Sequence, residues 1–378
     1  MISVDSSIDS EMEEEEDTGL AVEHEDPQAY IKRPFDPEMI KVRTINVIVE
    51  QLISRIKHDE IDLAPEFQRL RGIWDIERKS RLVESLLLRI PIPVFYVAAN
   101  EVENWSVVDG LQRISTMYDY VTGQFALSGL EYLSQLSERK FDDLPRSMQR
   151  RISETQLVVN VIEPGTPDEV MFNIFRRINT GGLTLNGQEI RHALHKGPVR
   201  NYLRELAETE EFIAASDGSV RKKRMADREC ALRFLAFYID PWEEYVANDL
   251  DGYLGRAMDK VNDMSRQQRD AIAAEFRKAM QAAIDIFDND AFRKRSKPDD
   301  PRRPVSKALF EAWSVHLARC SPKQISTLIT KRKEVRRRFI ALMRDDREFD
   351  VAISYGTGVP QRVEKRFRAI EMLVKEFI

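Results

Sequence analysis

The stretch Trp105-Ser-Val-Val-Asp-Gly-Leu-Gln-Arg-Ile-Ser-Thr-Met-Tyr118 decides the reading of the first half of the chain. Ser106 to Val108 is a short run that reads as a buried strand. It breaks at Asp109-Gly110 and resumes with Leu111, Ile114, Met117, Tyr118 and Val121 at helical spacing. Strand, glycine turn and helix together are one way a chain builds an anion site. The glycine lets backbone approach closely, and the first helical turn offers unpaired N–H groups and a positive dipole end. Gln112 and Arg113 fall in that first turn and bring an amide and a guanidinium fork. The local pattern leaves a second reading open, because a single glycine turn is a weak motif. In that reading the segment is an ordinary strand–helix turn and Arg113 pairs with a nearby carboxylate.

Upstream, residues 40–61 fit a short extended piece followed by a helix carrying Ile45, Val49, Leu52, Ile53 and Ile56. Pro65 marks a loop, Leu63-Ala-Pro-Glu-Phe-Gln-Arg69, in which Gln68 and Arg69 again set an amide beside a guanidinium. A helix over 75–88 and a strand over 94–98 lead to the central strand. Downstream, 122–127 reads as a turn and short strand, 130–152 as short helical pieces, and 155–162 as a β-branched strand. A helix begins at Pro167-Asp168 and runs into Arg176-Arg-Ile-Asn-Thr-Gly-Gly182. Gly181 and Gly182 end it, leaving Arg177 and Asn179 as donors at its C-terminus. A plain helix cap, with arginines set against the macrodipole, explains the same residues.

Several of these pieces, in this order, resemble one family. Pro65-Glu-Phe-Gln-Arg69, Trp74, Ile92-Pro93, Val108-Asp-Gly-Leu-Gln-Arg113 and Phe175-Arg-Arg-Ile-Asn-Thr-Gly-Gly-Leu-Thr-Leu185 with Glu189 are similar to the N-terminal domain of GmrSD-type restriction systems. That family belongs to the ParB/sulfiredoxin-like superfamily, and its hallmark is Asp-Gly-Gln-Gln-Arg. Here the third position is Leu111, while Asp109, Gly110, Gln112 and Arg113 are retained. The resemblance covers about residues 40–200. It implies a nucleoside triphosphate site, of unspecified base, with magnesium as a candidate metal. Asp109, Gln112 and Arg113 are then the catalytic candidates, with Asp109 also the metal ligand. Gln68, Arg69, Gly110, Arg177, Asn179 and Gly181 would hold the nucleotide, and Glu189 and Arg191 would orient the arginines.

Beyond residue 200 the periodicity becomes almost entirely helical, with segments at 199–206, 228–238, 253–287 (one long helix or a pair around Ser265), 305–317, 324–343 and 361–377. The expected architecture is an α/β (α+β) ParB/sulfiredoxin-like domain over 28–200, followed by an all-α helical domain over 201–378. Residues 1–27 read as a disordered acidic tail. Residues 1–26 contain eleven Asp or Glu and no Lys or Arg, so a chain of net charge −6 carries +5 outside them.

Three basic clusters, Arg221–Arg224, Arg293–Arg303 and Lys331–Arg338, are candidates for nucleic-acid phosphate contact, DNA in particular. Solvated helix surface with internal ion pairs accounts for them equally well. In the helix 331–338, Val335 turns one face inward. Cys230 and Cys320 lack ligand-like neighbours and read as buried apolar residues. The five histidines do not cluster, and no His pair near Asn in the second half suggests a His-Asn-His nuclease. No stretch reads as a membrane span or a signal segment, so cytoplasmic is the default.

Two functions follow. One is a ParB-like protein of a restriction or phage-defence system that binds and hydrolyses a nucleotide, whose state switches the helical half. The alternative is a non-enzymatic DNA-binding adaptor or scaffold with a degenerate pocket, working through DNA, a protein partner or a second copy.

Overall fold

The computed structural model describes residues 18–23, 40–62, 74–166, 170–171, 174–175, 178, 186–297 and 300–378. The chain divides into two compact units. One spans Phe35–Leu185, and the other spans Asn186–Ile378 together with Met1–Pro34. The sequence places the corresponding division at 200/201. The stretch 186–200 falls with the helical unit because Asn186 and Glu189 cap the helix after them reciprocally, and Arg191 and His195 on it pair with Asp251 and Asp259 further along that unit.

In the α/β unit the elements are β1 (Val42–Ile48), α1 (Val49–Lys57), β2 (Ile61–Asp62), α2 (Ile76–Leu87), β3 (Phe95–Ala99), β4 (Trp105–Asp109), α3 (Leu111–Val121), α4 (Arg146–Ser153) and β5 (Gln156–Ile162). Ile45 therefore lies in β1, and the helix starts four residues later than its apolar spacing suggests. No strand forms at 122–127. The sheet order is β1-β5-β3-β4-β2. β1 pairs antiparallel with β5 and β3 with β4, while β3–β5 and β4–β2 are parallel. Of the three interior strands, β3 and β4 read Phe-Tyr-Val-Ala-Ala and Trp-Ser-Val-Val-Asp, the near-continuous burial expected of strands covered on both faces, while β5 alternates between exposed and buried positions over its first half. Val49, Leu52, Val83, Leu86, Ile114 and Met117 from the helices close this core against Phe95, Val97, Val107 and Val159.

The long connection after α3 is tied down by one buried acid. Glu84 on α2 accepts backbone N–H bonds from Glu131, Tyr132 and Leu133 at 3.1, 2.7 and 2.8 Å. Burial pushes its carboxyl up, but the three amide donors outweigh burial and hold it below the ordinary carboxylate value.

The helical unit contains α5 (Gly187–Leu194), α6 (Pro198–Ala207), α7 (Glu210–Ala215), α8 (Ala226–Ile239), α9 (Leu250–Asp263), α10 (Arg266–Phe287), α11 (Lys307–Arg319), α12 (Pro322–Thr330), α13 (Arg332–Asp345), α14 (Arg347–Ala352) and α15 (Pro360–Phe377). Its core centres on α8, α10 and α11, where Phe234, Phe237, Phe276, Phe310 and Trp313 are fully buried. The long periodic stretch at 253–287 is a pair of helices split by Ser265, which caps α10 with Gln268. The stretch 324–343 is likewise split, at Lys331 between α12 and α13. Val335 is fully buried. Cys230 and Cys320 are buried, and burial raises both thiol pKa values.

Within the expected acidic tail, Thr18–Glu23 is ordered against the helical unit. Leu20 is 4% exposed and bridges Val305, and Glu23 reaches Arg233 and Lys307. Acidic composition alone hides this, because the complementary cations lie more than two hundred residues away. Among the described residues no helix is long and apolar enough to cross a membrane.

Replacing Glu84 by Ala strips three amides of a charged acceptor. We expect a loss of about 3 kcal/mol in urea unfolding of the α/β unit. Because the folded carboxyl is held below its ordinary value of 4.5, Glu84's contribution is complete above that pH. It fades as pH falls below, so the wild-type advantage over Glu84→Ala should shrink in acid.

Candidate functional site

The β4–α3 turn is built on Gly110. Its φ is +97°, in the left-handed region, and it is the N-cap of α3 with no side chain to offer the helix. A Cβ at this position would come within 2.4 Å of Cδ1 of Phe95. The turn thus needs glycine twice, for its dihedral and for the approach of β3. The first amides of α3 receive no side-chain cap, the situation in which a helix start accepts an anion.

Arg113 lies under this turn with its guanidinium turned inward. Nη1 donates to the carbonyl of Pro93, and Nη2 donates to Val94 O at 3.2 Å and Asp109 Oδ2 at 2.8 Å. The guanidinium carbon sits 4.4 Å from the centre of the Phe95 ring. Burial lowers the Arg113 pKa and the Asp109 carboxylate opposes that shift. The side chain of Asp109 is 34% exposed against 12% for Arg113. The carboxylate therefore faces outward from a fixed position while the guanidinium anchors it. The ion pair expected in the plain-turn reading is present, and Arg113 knits the end of β4 to the entry of β3.

Gln112 presents the opposite case. Its Oε1 is buried without a hydrogen-bond partner among the described residues, and so are Ser115 Oγ and Thr116 Oγ1. Positions 112, 115 and 116 are three and four apart, so they share one face of α3. Ile114, Met117 and Tyr120 occupy its core side. Side chains on a helix lean toward its N-terminus, which carries the two hydroxyls toward the Gly110 turn. Ser115 and Thr116 are 1% and 0% exposed. Buried polar atoms are nearly always paired, so three orphans on one helical face at an uncapped helix start stand out. Ser115 and Thr116 are absent from the sequence-based site. Their signal is two adjacent hydroxyls in an otherwise apolar helix, one turn after Gln112.

Of the other expected nucleotide contacts, Gln68, Arg69, Arg177, Asn179 and Gly181 lie outside the described residues. Glu189 and Arg191 are engaged within the helical unit. Glu189 caps α5 and pairs with Arg224 at 3.1 Å, and burial raises its pKa against that pairing. Arg191 bonds Asp251 and Gln188. Among the described residues, no group of three or more His, Cys, Asp or Glu gathers as a metal site.

Residues 49–196 match the family model described as the GmrSD restriction endonuclease, N-terminal domain. This stretch belongs to the GmrSD N-terminal domain family. The match begins at the first residue of α1 and takes in the whole β4–α3 turn. A restriction-type, phage-defence setting follows for the GmrSD N-terminal domain of this chain. No curated protein and no solved structure matches the chain.

The basic clusters beyond the GmrSD N-terminal domain are largely committed within the helical unit. Lys222 pairs with Glu208, Arg224 with Glu189, Arg302 with Asp217, Arg336 with Asp288 and Arg338 with Glu376. Arg293 is 3% exposed and donates to Ser216, Ser219, Asn289 and Arg303. Lys333 and Arg337, four apart on α13, are exposed and carry no ion pair among the described residues. His316 packs in α11 with Nε2 against Phe367 O, and burial lowers its pKa to about 4.

Gly110→Ala must both adopt a left-handed dihedral and displace Phe95. A loss of about 2 kcal/mol or more is expected, read as a fall in Tm, with the Arg113–Phe95 stacking lost in a structure of the variant.

Proposed function

We propose that the GmrSD N-terminal domain of this protein binds a nucleoside triphosphate at the β4–α3 turn and hydrolyses it, in a ParB-like manner. The nucleotide state would then switch the helical half within a restriction-type phage-defence system. The observation that carries this reading is the orphaned trio Gln112 Oε1, Ser115 Oγ and Thr116 Oγ1 on one face of α3, beside the uncapped Gly110 turn. The Ser115 and Thr116 hydroxyls and the first amides of α3 can donate to phosphate oxygens, which only accept, whereas Gln112 Oε1 is itself an acceptor and suits the O–H of a water.

Arg113, fixed by Pro93, Val94, Asp109 and Phe95, serves in this reading as the residue that positions Asp109 and adds charge behind the turn. Asp109 projects its carboxylate where a water or magnesium ion would be held, and Gln112 orients the attacking water. Magnesium binds through one or two carboxylates together with substrate phosphates, so a lone Asp109 fits it only with nucleotide present. A metal so held neutralises charge on the transferring phosphoryl group. The resemblance assigns nucleotide contact also to Gln68, Arg69, Arg177, Asn179 and Gly181, which lie outside the described residues. Catalysis here rests on positioning and charge stabilisation.

The inward Arg113 also favours a second reading, in which the turn is purely structural and the protein is a DNA-binding adaptor using cations such as Lys333 and Arg337. That reading predicts no nucleotide binding and a steep fall in DNA affinity with salt.

Calorimetric titration with ATP, GTP, CTP and UTP, with and without magnesium, separates the two. Thr116→Val keeps the shape and removes an unpaired buried hydroxyl, so the variant's Tm without nucleotide should equal or exceed wild type. Its affinity for the bound nucleotide should fall about tenfold, the equivalent of roughly 1.4 kcal/mol. Absence of binding to all four nucleotides by the wild type, or equal affinity in Thr116→Val, contradicts the proposed site.

A further inference from the structure

The helical unit contains a second polar cluster, remote in sequence from the β4–α3 turn and deeply buried. Arg233 on α8 contacts Glu229 at 3.2 Å and Glu311 at 3.2 Å. Lys307 at the start of α11 contacts Glu229 at 3.2 Å. Arg366 on α15 bonds Glu311 through Nε at 2.8 Å and through Nη2. The helices thus supply three cations, Arg233, Lys307 and Arg366, against two carboxylates, Glu229 and Glu311. An unbalanced buried cation is costly, so this arrangement calls for one more anion.

The third carboxylate comes from the Thr18–Glu23 segment. Glu23 meets the Arg233 fork at 2.5 and 3.3 Å, the Lys307 ammonium at 3.2 Å and the Thr357 hydroxyl at 2.7 Å. Fork, ammonium and hydroxyl converge on one carboxylate, with the Arg233 side chain 4% exposed. Burial raises the Glu23 pKa, but Arg233 and Lys307 outweigh it and keep the group ionised.

The backbone of the segment is also tied to the helical unit. Arg221 N donates to Thr18 O at 2.9 Å, Ala21 N to Val305 O at 2.9 Å and Val305 N to Gly19 O at 3.3 Å. Leu20 is its buried apolar anchor. Gly19 has φ +71°, and a Cβ there would stand 1.7 Å from the carbonyl oxygen of Ser219. The segment can lie in its seat only while residue 19 is glycine.

We propose that Arg233, Lys307 and Thr357 form a carboxylate-binding site in the helical unit, filled in cis by Glu23. Thr18–Glu23 is a displaceable strap, and an acidic peptide segment takes its place when it leaves. Charge count and convergent donors both point to that site. The site itself belongs to α8, α11 and the turn before α15, and only its ligand belongs to the strap.

Gly19→Ala in the full chain ejects the strap by sterics while leaving Arg233, Lys307 and Thr357 untouched. A fluorescein-labelled peptide of Thr18–Glu23 should then bind Gly19→Ala at least tenfold more tightly than wild type, whose site is filled. The same peptide with Gln in place of Glu23 should lose that binding. Equal binding by wild type and Gly19→Ala, or equal binding of the two peptides, overturns the proposal. Glu23→Ala supplies the independent arm. Its Tm should lie several degrees below wild type, and sodium acetate should raise it more than sodium chloride at equal ionic strength. No acetate-specific rise means the helices hold no carboxylate site.

Discussion

Much of the α/β unit depends on how one guanidinium is spent. Arg113 donates to the carbonyls of Pro93 and Val94, pairs with Asp109 and stacks on Phe95. These contacts join the entry of β3, the end of β4 and the first turn of α3. Without them the carbonyls before β3 would lose their donor, and Asp109 would lose the partner that fixes its direction. A charged donor is worth more than a neutral one, and removing it leaves several acceptors without their partner at once. The same contacts set the limits of the site. The arginine is a fixed element of the wall, and the unfulfilled polar atoms lie on the neighbouring face of α3, at Gln112, Ser115 and Thr116.

The helical unit handles charge differently. Its basic clusters, conspicuous in the sequence, are mostly joined to carboxylates or carbonyls of the same unit, as with Arg224 and Glu189, Arg336 and Asp288, or Arg293 and its four acceptors. A cation held this way adds little to phosphate binding, because it must first give up its partner. In the Arg233–Lys307–Arg366 cluster the helices set three cations against two carboxylates, and there the chain's own Glu23 supplies a third.

The sequence was most legible where local chemistry decides the outcome. The β4–Gly110–α3 succession follows from Asp109-Gly110 and the helical spacing beyond it, and Asp75, Ser265 and Pro360 mark helix starts as capping rules expect. The GmrSD N-terminal domain was also legible from its separated motifs in order. Misreadings arose where distant residues decide. Ile45 has helical spacing to Val49 and Leu52, yet pairing with Val159 across β1–β5 draws it into a strand. The break at Lys331 leaves no proline or glycine signal. Whether Arg113 faces outward or inward depends on Pro93, Val94 and Phe95, which local pattern does not weigh, and the docking of Thr18–Glu23 depends on Arg233 and Lys307.

The most direct measurement is a crystal structure of the protein with a non-hydrolysable nucleoside triphosphate analogue and magnesium. The account predicts phosphate oxygens within hydrogen-bonding distance of the Ser115 and Thr116 hydroxyls and the first amides of α3, with Arg113 still on Pro93, Val94 and Asp109. Triphosphate bound elsewhere, or the Gln112–Ser115–Thr116 face unchanged and unvisited at saturating analogue, would contradict it.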